Sequence, residues 1–224
     1  MAKISESRGS SGASYERLFG NPAIGLLFSK VQSTVIRSGF ELEKVLQEVT
    51  PPEIQTTLEA LADESIVKPP IQVVFKPSKP DPESKVKSIQ ADLLVVDNVN
   101  RRFSLIEVKE GYLFDTKKAD GELSSLRNIT SWLAQEFAYR THYYICAFNY
   151  ESKEGIVNGL KKRFSIDHVM TGRELCEAIN LDYDYIRELR RADQLENRQY
   201  FLRGLLAIPE VRNEIRELLG EYDD

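Results

Sequence analysis

The sequence predicts an α/β fold in which a β-sheet flanked by helices is followed by a helical C-terminal third. Short β-favouring apolar runs predict four strands, at 71–75, 90–97, 102–109 and 142–150. Helical spacing of apolar residues predicts one long helix before these runs and another between the third and fourth. After residue 150 the chain becomes rich in Arg and Glu, and it is mostly helical from Thr171 to Leu219.

The 224 residues suit one α/β domain, with or without a helical appendage. Residues 1–14 are small, polar and rich in Gly and Ser, which predicts a flexible segment. We expect the core over 15–150. The helical region 151–224 is expected to pack on that core and to serve recognition or dimerisation.

The first long helix is expected to begin near Pro22 and to end at Pro51-Pro52. A shorter helix is expected over 53–63. The segment 76–87 is rich in proline and lysine, so it reads as a loop. The second long helix is expected to start at Ser124 or Ser125, with Trp132 as a packing anchor.

The two central runs, 90–97 and 102–109, flank the turn-prone Asn98-Val-Asn100 and predict a hairpin. The hairpin brings Asp92 opposite the end of the second run. Because side chains alternate along a strand, Glu107 and Lys109 point the same way. The continuous apolar run 93–96 predicts a strand that is covered on both faces. The alternative is an edge hairpin whose Glu107 and Lys109 are solvated charges in weak pairs.

An acid, a variable gap and then acid-X-lysine on adjacent strands resembles the signature of the PD-(D/E)XK nuclease superfamily. Asp92 and Glu107-Val108-Lys109 carry the resemblance, which covers about 28 to 150 and departs from the usual pattern in having Ala91 where proline often stands. It implies a mixed central sheet with the core order helix, three strands, helix, strand. It also implies that Asp92 and Glu107 hold Mg²⁺ and that Lys109 orients or activates the attacking water.

The phrase from Arg37 to Leu46 is similar to the first core helix of that superfamily, in which a glycine precedes an apolar residue and an acid. On that match Glu43 is a third acidic residue of the active site. The alternative is an ordinary solvated helix charge beside Lys44.

The resemblance implies a Mg²⁺-dependent endonuclease acting on double-stranded DNA, similar to a type II restriction endonuclease. A DNA-repair or junction-resolving nuclease is one alternative, and a noncatalytic binding module on the same fold is another. Apolar positions in the helical third, Leu202, Leu205, Leu206 and Ile208, favour a homodimer. The alternative is that these residues pack onto their own domain. The candidate DNA contacts are the basic residues Lys85, Lys87, Lys117, Lys118, Arg127, Arg187, Arg191 and Arg198. The last three lie along one helix face, for which the alternatives are an exposed salt-bridged surface and a subunit contact.

The formal charge of −5 argues against a protein that coats polyanions, although an acidic surface can coexist with a basic cleft. No apolar run is long enough to cross a bilayer and no signal-peptide pattern is visible, so we expect a cytoplasmic protein without membrane contact. Cys146 and Cys176 are expected to be buried free thiols. The two histidines lack metal-ligand spacing.

Overall fold

The computed structural model describes residues 2–9, 13–63, 65, 67–78, 90–111 and 116–222, except for the side chains of 13, 116–119, 221 and 222. Its contacts divide the chain into two units. A helical unit comprises Met1–Leu42 and Asp184–Asp224, and a sheet unit comprises Glu43–Tyr183. Residues 151–183 therefore group with the sheet. The sheet unit ends at Tyr183, whereas the sequence placed the end of the core at residue 150.

The sheet unit is built on one five-stranded mixed sheet in the order β1-β2-β3-β4-β5. Its strands are β1 (Ile71–Phe75), β2 (Leu93–Asp97), β3 (Arg102–Lys109), β4 (Arg140–Ala147) and β5 (Val169–Thr171). The first three pair antiparallel, whereas β3, β4 and β5 are parallel. The predicted α/β class and the predicted hairpin are confirmed. The sequence did not predict β5, which has three residues and no apolar alternation long enough to read.

Both faces of the central strands are covered, as the apolar run 93–96 predicts. On one face Leu94 and Leu105 belong to the main core cluster. That cluster includes Leu126, Ile129 and Leu133 of helix α4 (Thr116–Glu136), which form its apolar stripe. The opposite face is also buried, since Leu93 and Ile106 are at most 2% exposed.

Helix α4 begins at Thr116, eight residues before Ser124, so the predicted start at Ser124 or Ser125 is wrong. The residues from 117 to 122 are mainly good helix formers, but they carry no apolar periodicity that would mark them as helical on the sequence. Trp132 packs against the core cluster as predicted.

Shorter helices complete the sheet unit: α3 (Leu58–Ala62), α5 (Lys153–Gly159) and α6 (Gly172–Ala178). Thr171 and Glu174 form a capping box at the start of α6. Cys146 in β4 and Cys176 in α6 are both buried and free, as expected.

The helical unit contains α1 (Ala13–Phe19), most of α2 (Pro22–Val49), α7 (Tyr183–Leu206) and α8 (Pro209–Tyr222). Helix α2 runs without interruption to the predicted stop before Pro51. Part of the predicted flexible segment is anchored instead, because the Asn197 side chain accepts from the N–H of Ile4 and donates to the carbonyl of Ala2, both at 2.7 Å.

Among the described residues, no helix combines the length and apolarity that a membrane span requires.

Candidate functional site

Asp92 lies immediately before β2, where it faces the end of β3. Leu93 pairs with Ile106, so extending the antiparallel register by one residue places Asp92 opposite Glu107. The backbone N–H of Val108 donates to Asp92 Oδ2 at 2.6 Å. The hairpin therefore holds the carboxyl group of Asp92 against the strand that carries Glu107 and Lys109.

Glu107 and Lys109 share one face of β3, and their side chains meet. The Lys109 Nζ donates to Glu107 Oε1 at 2.8 Å. Both side chains are only partly accessible, at 27% for Lys109 and 18% for Glu107. This pair is therefore not the fully solvated surface pair of the alternative interpretation.

Glu122 of α4 also binds Lys109, with 2.8 Å between Nζ and Oε1. Glu122 was not among the predicted site residues, because the helix was expected to start only at Ser124 or Ser125. A usable signal was present, since Glu122 precedes Leu126 by four residues and so lies on the helix side that packs against the sheet. Lys109 is thus bound between two carboxylates that come from different elements.

Glu43, near the end of α2, forms an ion pair with Lys76 at 3.2 Å, and its side chain is 20% exposed. The backbone N–H of Lys76 in turn donates to the carbonyl oxygen of Asp92 at 2.8 Å. Glu43 is close enough for its charge to raise the pKa of both Asp92 and Glu107. It therefore belongs to the electrostatic surroundings of the two acids.

The pKa values of Asp92 and Glu107 are both raised above their ordinary values. Burial, and then the charge of Glu107, raises the pKa of Asp92 to about 7, although the Val108 hydrogen bond opposes the rise. Burial also raises the pKa of Glu107, against the lowering effect of Lys109. For Lys109, burial lowers the pKa, but the ion pairs with Glu107 and Glu122 outweigh it and raise the pKa overall. At neutral pH Lys109 is therefore an ammonium, and a second negative charge on the paired acids is costly.

The donor set suits a small hard cation. Mg²⁺ takes oxygen ligands and usually binds one or two carboxylates, while waters and substrate phosphates complete its octahedron. Asp92 and Glu107 supply two such carboxylates, whose mutual repulsion a divalent cation would remove. Within the described part of the chain, no group of three or more Asp, Glu, His or Cys side chains is placed to hold a metal ion. Glu43 and Glu122 bind lysines in this arrangement.

The candidate DNA contacts on the sheet unit are only partly visible. Lys85 and Lys87 lie outside the described residues. Lys117 and Lys118 belong to the first turn of α4, but their side chains lie outside the description. Arg127 is exposed, and its Nε donates to the hydroxyl of Tyr143 at 3.3 Å.

The three candidate arginines of the helical unit all lie on α7. Arg187, Arg191 and Arg198 are exposed, and Arg191 pairs with Glu188 at 3.3 Å. Arg191 and Arg198 line an open groove of about 660 Å³ together with Gln194 and Leu195. Arg191, Gln194, Leu195 and Arg198 therefore share one side of α7.

The chain is similar to a type II restriction enzyme over nearly its whole length. No protein-family model matches the chain. The type II restriction enzyme HhaII of Haemophilus parahaemolyticus is 36% identical to this chain over an alignment of 226 residues. The alignment covers 97% of this chain and 99% of that enzyme. The similarity therefore extends over both the sheet unit and the helical unit.

Proposed function

The chain belongs to the family of the type II restriction enzyme HhaII, and from this premise we propose that it is a Mg²⁺-dependent endonuclease that cleaves double-stranded DNA at a specific sequence. The observation that carries the proposal is the meeting of Asp92, Glu107 and Lys109 at one end of a buried hairpin. This is the residue set of the PD-(D/E)XK superfamily, to which we assign the catalytic core. Cleavage of DNA would occur in the cytoplasm.

Asp92 and Glu107 are the proposed metal ligands. When bound, Mg²⁺ would lower the pKa of a coordinated water and offset negative charge on the attacked phosphate. The hydrogen bond from Val108 fixes the carboxylate of Asp92 and leaves its other oxygen available as a ligand. Glu43 adds negative charge near both ligands, and this favours the binding of a cation.

Lys109 acts as a cation rather than as a base. Its raised pKa keeps the ammonium protonated, so it can donate to the attacked phosphate and stabilise the charge that develops there. Glu122 positions Lys109, because it binds the same ammonium at 2.8 Å and is not one of the proposed metal ligands. The catalytic residues are therefore Asp92, Glu107 and Lys109, with Glu43 and Glu122 supporting them.

The activity is tested by incubating the purified protein with mixed-sequence duplex DNA and Mg²⁺, with EDTA as the control. We expect discrete fragments, and only in the presence of Mg²⁺. A smear would contradict sequence specificity, and preference for a four-way junction would favour a repair or junction-resolving enzyme. Intact DNA that is bound but uncut would favour a noncatalytic binding module.

We further propose that the protein is a homodimer formed through the helical unit. That unit exposes large apolar side chains on several helices, including Val35, Ile36 and Phe40 of α2 and Leu202 of α7. Contiguous exposed apolar side chains are typical of interaction surfaces. Ile208, one of the residues that suggested a dimer, is buried and does not contribute. Two identical sites related by a twofold axis would match a palindromic duplex.

Sedimentation of the wild-type protein tests the dimer. We expect the mass of two chains, and we expect Phe40→Glu to shift it toward one chain because a charge in an apolar interface is costly. A wild-type protein that sediments only as a monomer, with and without DNA, would overturn the proposal.

A further inference from the structure

A basic turn, Lys161-Lys162-Arg163, follows α5 on the surface of the sheet unit. All three residues are exposed. The turn is fixed at both ends, because Leu160 and Phe164 are 0% and 2% exposed and belong to the core cluster. Backbone hydrogen bonds from Lys161 to Asn158 and from Lys162 to Val157, at 3.0 and 2.8 Å, close the end of the helix. The turn therefore presents three consecutive cations on a fixed backbone.

The two lysines occupy a backbone conformation that favours glycine. Lys161 has φ of +49° and Lys162 has φ of +59°. Helices commonly end on a left-handed residue, which is usually glycine because a Cβ is unfavourable there. Both lysine side chains are exposed, so they contribute little packing in return. A strained conformation held on two adjacent non-glycine residues points to a role for their side chains.

Arg163 joins the turn to α4, the helix that also contacts the catalytic lysine. Its Nη1 lies 3.0 Å from both carboxylate oxygens of Asp120, which is in the first two turns of α4. Two residues further along the same helix, Glu122 binds Lys109. The N-terminal end of α4 therefore contacts both the basic turn and the candidate active site.

Lys161 and Lys162 are open to a ligand. Over the described ranges of the chain, no ion pair joins either lysine to a carboxylate, whereas Arg163 is held by Asp120. Adjacent exposed ammonium groups suit the phosphates of a nucleic-acid backbone, which Lys and Arg side chains neutralise.

We propose that the basic turn contacts the phosphate backbone of double-stranded DNA beside the phosphodiester that the enzyme cleaves. The inference rests on the proposed function, and it adds Lys161 and Lys162 to the DNA-contacting surface. These contacts position the duplex and carry no base specificity, because phosphates are the same in every sequence. A purely structural role, in which the lysines stabilise the C-terminal end of α5, makes the opposite prediction for stability.

The test uses the double variant Lys161→Gly/Lys162→Gly and a mixed-sequence duplex of about 30 base pairs, with Ca²⁺ in place of Mg²⁺ to prevent cleavage. The slope of log affinity against log salt is negative, and each lost phosphate contact reduces its magnitude by about 0.9. We expect the magnitude to decrease by about 1.8, so the loss of affinity between about 50 and 200 mM salt becomes about 12-fold smaller. Because glycine relieves the left-handed strain, Tm should be unchanged or higher.

Arg212→Gln/Arg216→Gln on α8 is the matched control, since it removes two exposed positive charges from another helix. An equal decrease in the magnitude of the slope in this control would show a general charge effect and overturn the inference. The inference would also be overturned if the wild type binds DNA and Lys161→Gly/Lys162→Gly shows the wild-type slope. If Tm falls in the glycine variant, the salt dependence is measured with Lys161→Gln/Lys162→Gln, which removes the charges and keeps most of the side-chain length. A wild-type slope in that variant would likewise overturn the inference. A wild-type protein that fails to bind the duplex contradicts the proposed function itself.

Discussion

Replacing Asp92 with Asn should stabilise the metal-free protein at alkaline pH while it abolishes DNA cleavage. Asn keeps an oxygen that accepts the Val108 N–H, and its amide can donate to Glu107. It removes the negative charge that burial and Glu107 make costly. Without a bound cation, the folded protein is therefore expected to be less stable with Asp92 than with the neutral Asn.

The pKa of Asp92 sets the pH range of this effect. The pKa is about 7 in the folded protein and 3.8 in the unfolded chain, so the folded state binds more protons between these values. Stability therefore falls as pH rises from about 4 to about 7, and the loss is complete above that range. The difference of about three pKa units corresponds to at most about 4 kcal/mol at about 1.4 kcal/mol per unit. Partial solvent exposure of the site reduces it, and we expect about 1 to 3 kcal/mol.

The assay is urea unfolding of the wild type and Asp92→Asn in EDTA, at pH 5 and at pH 8. The variant should be more stable at pH 8, and the difference should shrink at pH 5. Addition of Mg²⁺ should stabilise the wild type more than the variant, since only the wild type keeps both ligands. A variant that is less stable than the wild type at pH 8 in EDTA would refute the reasoning.

Two further substitutions examine the supporting carboxylates. Glu122→Gln removes one of the two ion pairs of Lys109, so single-turnover cleavage should slow about tenfold. This loss is smaller than the one expected from replacing Lys109 itself. A wild-type cleavage rate would show that Glu122 does not position the lysine. Glu43→Gln should raise the Mg²⁺ concentration for half-maximal cleavage several-fold by removing negative charge near both ligands. Glu48→Gln on the same helix is its matched control, and equal shifts in the two variants would make Glu43 an ordinary solvated charge.

Much of the architecture is local in origin and could be predicted from sequence. The apolar run 93–96 and the turn at Asn98-Val-Asn100 define the hairpin, and the prolines at 51 and 52 end α2. Strand alternation alone predicts that Glu107 and Lys109 lie on one face. These features depend on periodicity and turn chemistry within a few residues of one another.

The features that sequence reasoning missed depend on tertiary packing. Glu122 meets Lys109 only because α4 packs back on the sheet, and the polar residues before it hide the start of that helix. The left-handed backbone at Lys161 and Lys162 has no signal in residue type, since glycine or asparagine usually marks such positions. The two lysines were therefore absent from the predicted DNA contacts.

The substitution Lys109→Met tests the central claim most directly. Met keeps an unbranched stem and removes the ammonium that Glu107 and Glu122 hold beside the proposed metal site. Removing a preorganised charge that acts on the transition state commonly costs about 10²–10³ in rate. We predict a loss of at least that size in single-turnover cleavage with Mg²⁺, with duplex affinity in Ca²⁺ within about threefold of the wild type. Cleavage by Lys109→Met at the wild-type rate would contradict the assignment of this hairpin as the active site.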